Sequence, residues 1–175
     1  MSEPSLWHDA AGLCARAHEH QFRKDGRTPY AAHPARVALI IATVFGCTDE
    51  DVLAAAFLHD VIEDADVDYD DILERFGPDV ADLCAAMTKD MRLVEEKREP
   101  AYDEQLAAAA WQARLIKLAD VFDNLCDAMN DPSRRKLLGK ADRALALTAG
   151  DPELGKARAQ LTALADRVRG DLSAP

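Results

Sequence analysis

The sequence predicts an all-α, single-domain helical bundle, and three observations carry that prediction. Apolar residues recur at three- and four-residue spacing along most of the chain, the signature of helices with one buried face. No stretch alternates apolar and polar residues over a useful strand length, and there is no internal repeat or low-complexity tract. A length of 175 residues, 49% of them hydrophobic, supplies one sizeable core and favours one domain.

The first helix is predicted from Pro4 or Ser5 to about Phe22, with Leu6, Ala10, Leu13 and Ala17 on its apolar face and Gln21 extending it. His8, His18 and His20 are read as its surface or rim. Asp25-Gly26 and Thr28-Pro29 mark the turn that follows. A second helix starts near Ala31 and runs through Val37, Ile40, Ile41 and Val44 to Phe45, with Gly46 as its C-cap. Thr48 or Asp49 caps a central helix that opens on acids, runs through Val52-Leu53-Ala54-Ala55-Ala56 and ends near Glu63-Asp64.

A short helix over residues 69–76 is stopped by Gly77, and Pro78 opens the next, through Val80, Leu83 and Met87. Residues 88–100 alternate in charge and read either as a solvated connector or as a mobile rim. From Ala101 one long helix is predicted to Met129, with Leu115, Leu118, Phe122 and Leu125 as its apolar stripe. Asn130-Asp131-Pro132 breaks it. Two packing helices, over about residues 133–147 and 152–168, follow a core of about residues 5–130; the packing region extends to about residue 169.

Composition excludes several functions. The net charge of −11 makes a surface that repels nucleic acid. No segment is long and apolar enough to span a bilayer. Met1-Ser2-Glu3-Pro4-Ser5 lacks the basic start and apolar run of a signal peptide. Cys14, Cys47, Cys84 and Cys126 are far apart and form no CxxC pair, which suits reduced thiols in a cytoplasmic protein.

The chemistry concentrates in Phe57-Leu58-His59-Asp60-Val61-Ile62-Glu63-Asp64, a greasy stretch that carries one histidine and three acids. On a continuous helix His59 and Glu63 share a face, and Asp60 and Asp64 share the next. The plain reading is a core histidine beside a solvated helix end. Two further polar residues beside apolar runs point elsewhere: His33 in Tyr30-Ala31-Ala32-His33-Pro34 and Asp120 in Ile116-Lys117-Leu118-Ala119-Asp120. Two histidines and two aspartates form a mixed nitrogen and oxygen donor set that suits Mn²⁺, Fe²⁺ or Zn²⁺. Glu63 and Asp64 are then spare carboxylates, free for proton transfer. Arg23, Lys24 and Arg27 crowd one loop of an acidic chain. They either cap the preceding helix or clamp a phosphate, for which Arg offers a fork of donors and Lys a point charge.

Taken in order, Arg23-Lys24-Asp25-Gly26, Pro29-Tyr30, His33-Pro34, the segment 55–64, Phe76-Gly77, Thr88-Lys89, and Lys117-Leu118-Ala119-Asp120 with Asn124-Leu125 resemble the HD-domain hydrolases of the Rel/Spo type, the small stand-alone alarmone hydrolases above all. The resemblance covers about residues 13–125. It implies an HD-domain helical bundle with a Mn²⁺ site. His33, His59, Asp60 and Asp120 fall on the family's ligand positions, and Glu63 and Asp64 on its catalytic acids. Arg23, Lys24 and Asn124 fall on positions that hold the nucleotide. The implied reaction removes the 3′-pyrophosphate of guanosine tetra- or pentaphosphate.

Val121, Asp123 and Asp127 depart from the family's usual residues, in what the resemblance reads as the base pocket. Metal-dependent phosphohydrolysis is therefore better supported than guanosine selectivity. Two other readings stay open: the same chemistry on another nucleotide such as NADPH, and a silent domain that binds a nucleotide or a partner. The intact set of ligands and spare acids speaks against silence.

Overall fold

Asp49 sets the start of the central helix by accepting hydrogen bonds from the main-chain N–H groups of Asp51 and Val52, which the first helical turn leaves unpaired. In the computed structural model, which describes residues 5–173, that helix is α3 (Glu50–Leu58). Val52, Ala54, Ala55, Ala56 and Leu58 are buried, so α3 is covered nearly all round. It packs against α1 (Leu6–Ala17), α2 (Ala32–Leu39), α6 (Pro78–Met87) and α8 (Trp111–Cys126). Its run of alanines keeps those neighbours close.

The remaining elements are a π-helical turn (Ile40–Phe45), α4 (Val61–Asp64), α5 (Tyr69–Phe76), α7 (Glu95–Ala108), α9 (Asp131–Leu147), a 3₁₀ turn (Pro152–Leu154) and α10 (Gly155–Ser173). There is no strand among the described residues, and Phe22 and Pro29 form an isolated antiparallel bridge. No described helix is long and apolar enough to cross a membrane. α9 and α10 pack on each other and on α8.

Several boundaries lie where local chemistry demands. Gly46, at φ +83°, ends the second helical segment, and its N–H reaches back five residues to the Ile41 carbonyl. Asp68 and Asp71 form a reciprocal cap on α5. Gly77 stops α5 and Pro78 opens α6, as the sequence predicted. Asn130 and Ser133 cap α9.

Three predicted helices are broken, the first by a backbone turn and the other two by side chains that claim main-chain carbonyls. The first stops at Ala17 rather than near Phe22. There His20 turns left-handed at φ +67°, and the main chain of Gln21 and Arg23 bonds to Tyr30 and Thr28. The central helix ends at Leu58, not at Glu63-Asp64. His59 and Asp60 form a turn, the His59 ring bonds to the Ala56 carbonyl, and α4 restarts at Val61.

The long helix predicted over 101–129 is two helices, α7 and α8. Arg114 donates to the Leu106, Ala107 and Ala109 carbonyls at the end of α7, and its guanidinium is held bidentately by Asp151. One half-buried cation thus satisfies the open end of a helix and ties it to the α9–α10 connection. Replacement Arg114→Ala is expected to cost about 3 kcal/mol, because it strips several charged hydrogen bonds at once. Urea unfolding measures this; a loss under half a kcal/mol would mean that α7 ends for another reason.

Candidate metal centre and the clefts beside it

Three segments send side chains to one point. His33 comes from the first turn of α2, His59 and Asp60 from the break between α3 and α4, and Asp120 from the second half of α8. His33 Nε2 lies 3.3 Å from Asp120 Oδ1 and 3.7 Å from Asp60 Oδ2. His59 Nε2 lies 3.2 Å from Asp60 Oδ2. The donor atoms of His33, His59 and Asp60 all fall within 4.8 Å of one another. Asp120 joins them through His33, and its other oxygen takes a hydrogen bond from Lys117 Nζ at 2.9 Å.

The outer nitrogens of both rings decide what the inner ones offer. His33 Nδ1 is 2.6 Å from the Asp123 carboxylate, and His59 Nδ1 is 2.8 Å from the Ala56 carbonyl. Both partners only accept, so both Nδ1 atoms carry hydrogen. A neutral ring then turns a lone pair on Nε2 toward the centre, which is the arrangement metal-binding histidines use. His59 Nε2 is buried and has no hydrogen-bond partner. Lone pairs facing carboxylate oxygens at such distances repel unless positive charge lies between them.

The titration of the cluster says the same. Burial pulls the His59 imidazole down, but Asp60 and then Asp120 outweigh it and push it up to about 9. Burial likewise lowers His33, while Asp120 and Asp123 raise it on balance. Against their own burial, His59 holds Asp60 well below the carboxylate range, and Lys117 and His33 do so for Asp120. The cluster is built to hold a cation, and its mixed imidazole and carboxylate donors suit a divalent one.

Asp123 was placed in a base pocket by the sequence; it lies instead beneath the centre. It is 2% exposed, receives His33 Nδ1–H, and is gripped by Arg36 at 2.6 and 3.0 Å. Its place three residues after Asp120, on the side of α8 turned to α2, was the available signal.

Glu63 and Asp64 stand clear of the donor cluster. Glu63 accepts the Lys89 main-chain N–H at 3.0 Å. Tyr30 Oη donates to Asp60 at 2.7 Å and lies 3.3 Å from Asp64. Burial first, and then the charge of Asp60, raises the carboxyls of both Glu63 and Asp64. Because the helix breaks at His59, Glu63 does not continue the His59 face of an unbroken helix.

A cleft of about 550 Å³ opens on one flank, lined by Arg23, Lys24, Asn124, Asp127, Met129 and Leu137 among others. Arg23 donates to Asn124 Oδ1 at 2.8 Å and to Asp127 Oδ2 at 3.1 Å. Asn124 Nδ2 donates to Asp120, so both ends of this amide are committed. On the other flank Lys117 shares a small cavity with Lys89, Tyr102, Lys140 and Arg143, which leads to a second cleft of about 500 Å³ that Lys136 also lines. The sequence named Lys89 and Lys117 only within the ordered motifs and did not single out Lys136, Lys140 and Arg143 of α9, because nothing in the chain order joins them to one group.

A family model described as HD domain matches residues 10–147, more than half of the chain. The chain belongs to the HD-domain family. It is similar to the guanosine-3′,5′-bis(diphosphate) 3′-pyrophosphohydrolase MESH1 of Drosophila melanogaster, with 43% identity over 118 residues, 66% of each chain. The Homo sapiens protein of that name is 41% identical over 127 residues, covering 72% of this chain and 71% of the relative. A solved structure described as "A metazoan ortholog of SpoT hydrolyzes ppGpp and plays a role in starvation responses" superposes with a TM-score of 0.84 at 31% identity, over 97% of this chain and 98% of that one.

His59 and Asp60 sit in the turn between α3 and α4. His18 is the second residue that sequence reading misplaced. It is 2% exposed, with its ring 4.7 Å from the ring of Tyr30. A histidine just past the last apolar position of α1 resembles a surface residue until the chain turns back over it.

Proposed function

We propose that this HD domain hydrolyses guanosine 3′,5′-bis(diphosphate) at its 3′ position, releasing pyrophosphate and leaving the nucleoside 5′-diphosphate. The observation that carries the reading is a donor cluster of two histidines and two aspartates with two further carboxylates beside it, next to a net cationic cleft on one flank and, on the other, a cleft where Asp25 and Asp127 balance Arg23 and Lys24. The cationic flank suits the phosphate charge of such a substrate. The relatives named above carry this activity in their names.

His33, His59, Asp60 and Asp120 are the proposed ligands, and Mn²⁺ is the proposed metal. When bound, the metal supplies Lewis-acid charge against the phosphoryl oxygens and makes water more acidic. Glu63 takes the proton of the attacking water. Asp64, beside the Tyr30 hydroxyl, orients that water toward the phosphorus attached to the 3′ oxygen. The new P–O bond forms as the bond to the 3′ oxygen breaks, and that oxygen takes up a proton.

Arg23 and Lys24 neutralise phosphate charge that the acidic surface repels. Asn124 contributes by holding Arg23 against Asp120, since its amide is committed at both ends. For the same reason this amide is not free to read a base edge, and that favours a second reading: the same hydrolysis on another nucleotide, NADPH included. The free thiols of Cys14, Cys47, Cys84 and Cys126 accord with a cytoplasmic setting, which is part of the proposal.

Purified protein incubated with Mn²⁺ and a nucleotide panel tests these readings. Pyrophosphate from guanosine tetraphosphate supports the first, and phosphate from NADPH the second. No product from any nucleotide, with metal bound, refutes both. Arg23→Ala is expected to raise KM by about tenfold while kcat falls less, since a guanidinium on phosphate is a strong charged contact. An unchanged KM removes Arg23 from substrate binding.

A further inference from the structure

We propose that His18 and Gln21 are positioning residues for Asp64. This rests on the reading of Asp64 as one of the two working carboxylates. Gln21 Nε2 donates to the Asp64 main-chain carbonyl at 2.8 Å, across 43 residues of sequence. That contact orients the amide, so Gln21 Oε1 faces His18 Nδ1 at 2.8 Å and takes its hydrogen. His18 lies on Tyr30, and the Tyr30 hydroxyl reaches Asp60 and Asp64. Gln21 therefore holds Asp64 by its backbone, the Tyr30 hydroxyl lies beside the Asp64 carboxylate with its hydrogen on Asp60, and His18 touches both Gln21 and Tyr30.

The local structure is costly in a way that calls for such a purpose. The His18 ring is 2% exposed, and its Nε2 is buried without a partner. An apolar side chain of similar size would avoid that unpaired polar atom. His20 takes the left-handed conformation at φ +67°, which a residue with a Cβ rarely adopts. That bend ends α1 early and swings Gln21 toward Asp64. α4 has four residues, Val61–Asp64, too few for helix propagation to hold its own end. The turn after α1 supplies that rigidity from outside.

The test combines Gln21→Met and Asp64→Ala, alone and together, with single-turnover release of pyrophosphate from guanosine tetraphosphate in Mn²⁺. Metal content and thermal midpoint are measured for each variant. Gln21→Met is expected to lower kcat by about tenfold, with KM and metal content unchanged. In the Asp64→Ala background the same change is expected to add nothing, because Gln21 acts through Asp64. His18→Asn, which keeps a donor near the Nδ1 position, should retain more activity than His18→Leu.

A Gln21→Met enzyme with full kcat overturns the proposal. So does an equal loss in both backgrounds, which would mark Gln21 as merely structural. If Asp64→Ala itself retains full activity, the role of Asp64 fails and the proposal with it. If Asp64→Ala is impaired while Gln21→Met is not, the proposal fails alone.

Discussion

Glu63→Gln is expected to lower kcat for pyrophosphate release by roughly two to four orders of magnitude, the range in which a general base contributes. The replacement is close to isosteric, and its amide oxygen still accepts the Lys89 N–H that Glu63 accepts now. Folding and bound metal should be unchanged, since Glu63 lies outside the donor cluster. Elemental analysis alongside kinetics separates the possibilities: metal lost together with activity would make Glu63 a ligand and not a base.

The pH profile gives an independent check on the same residue. Burial, with the charges of Asp60 and Asp64, lifts the Glu63 carboxyl above its ordinary value, although the Lys89 N–H opposes this. A base works only when unprotonated, so a raised pKa moves the acid limb of kcat to higher pH. Activity should fall on acidification at a higher pH than an unshifted glutamate would give, and Glu63→Gln should remove that limb from what activity remains. An acid limb that persists unchanged in the variant would assign it to Asp64 or to the histidine cluster.

Local signals and tertiary ones were unequally legible. Gly46, Asp49 and Gly77-Pro78 act on their immediate neighbours, so these caps and stops could be placed from sequence and lie where predicted, whereas Asn130 caps a helix that starts at Asp131 and not at Ser133. The breaks at His20 and Ala109 engage partners distant in sequence, Tyr30, Asp64 and Asp151, and the one at His59 falls where its ring turns to the Ala56 carbonyl and to Asp60. Periodicity reads straight through such breaks, because the apolar stripe continues on both sides. The ordered motifs brought His33, His59, Asp60 and Asp120 into view as one set. Asp123 and His18 stayed hidden because their chemistry depends on which side chains they face. The same holds for Asn124, which the resemblance placed on a position that holds the nucleotide and whose donor and acceptor are both engaged within the protein.

Asp123→Asn is the most exacting test of the centre, because it alters no proposed ligand. The carboxylate fixes His33 in the tautomer that turns a lone pair inward, and it also balances Arg36. An amide of the same shape carries no charge and cannot serve both donors as well. Metal affinity is expected to fall about 10- to 100-fold, the usual cost of losing such an outer partner. Competition with a chelating dye measures it, and unchanged affinity would mean that His33 is oriented without Asp123 or is not a ligand.

Stability should change in a pH-dependent way as well. Burial raises the Asp123 carboxyl, but hydrogen bonds from His33 and Arg36 outweigh it and leave the folded pKa lowered. A lowered pKa means that its stabilisation is fully present above the unfolded value, near 4 on the order of model carboxylates, and is lost as pH falls through the folded value. The wild type and the Asn variant should therefore differ by about 2 kcal/mol at neutral pH and converge in acid. A gap that stays constant down to acidic pH would show that the charge of Asp123 contributes nothing, and that shape alone holds His33 in place.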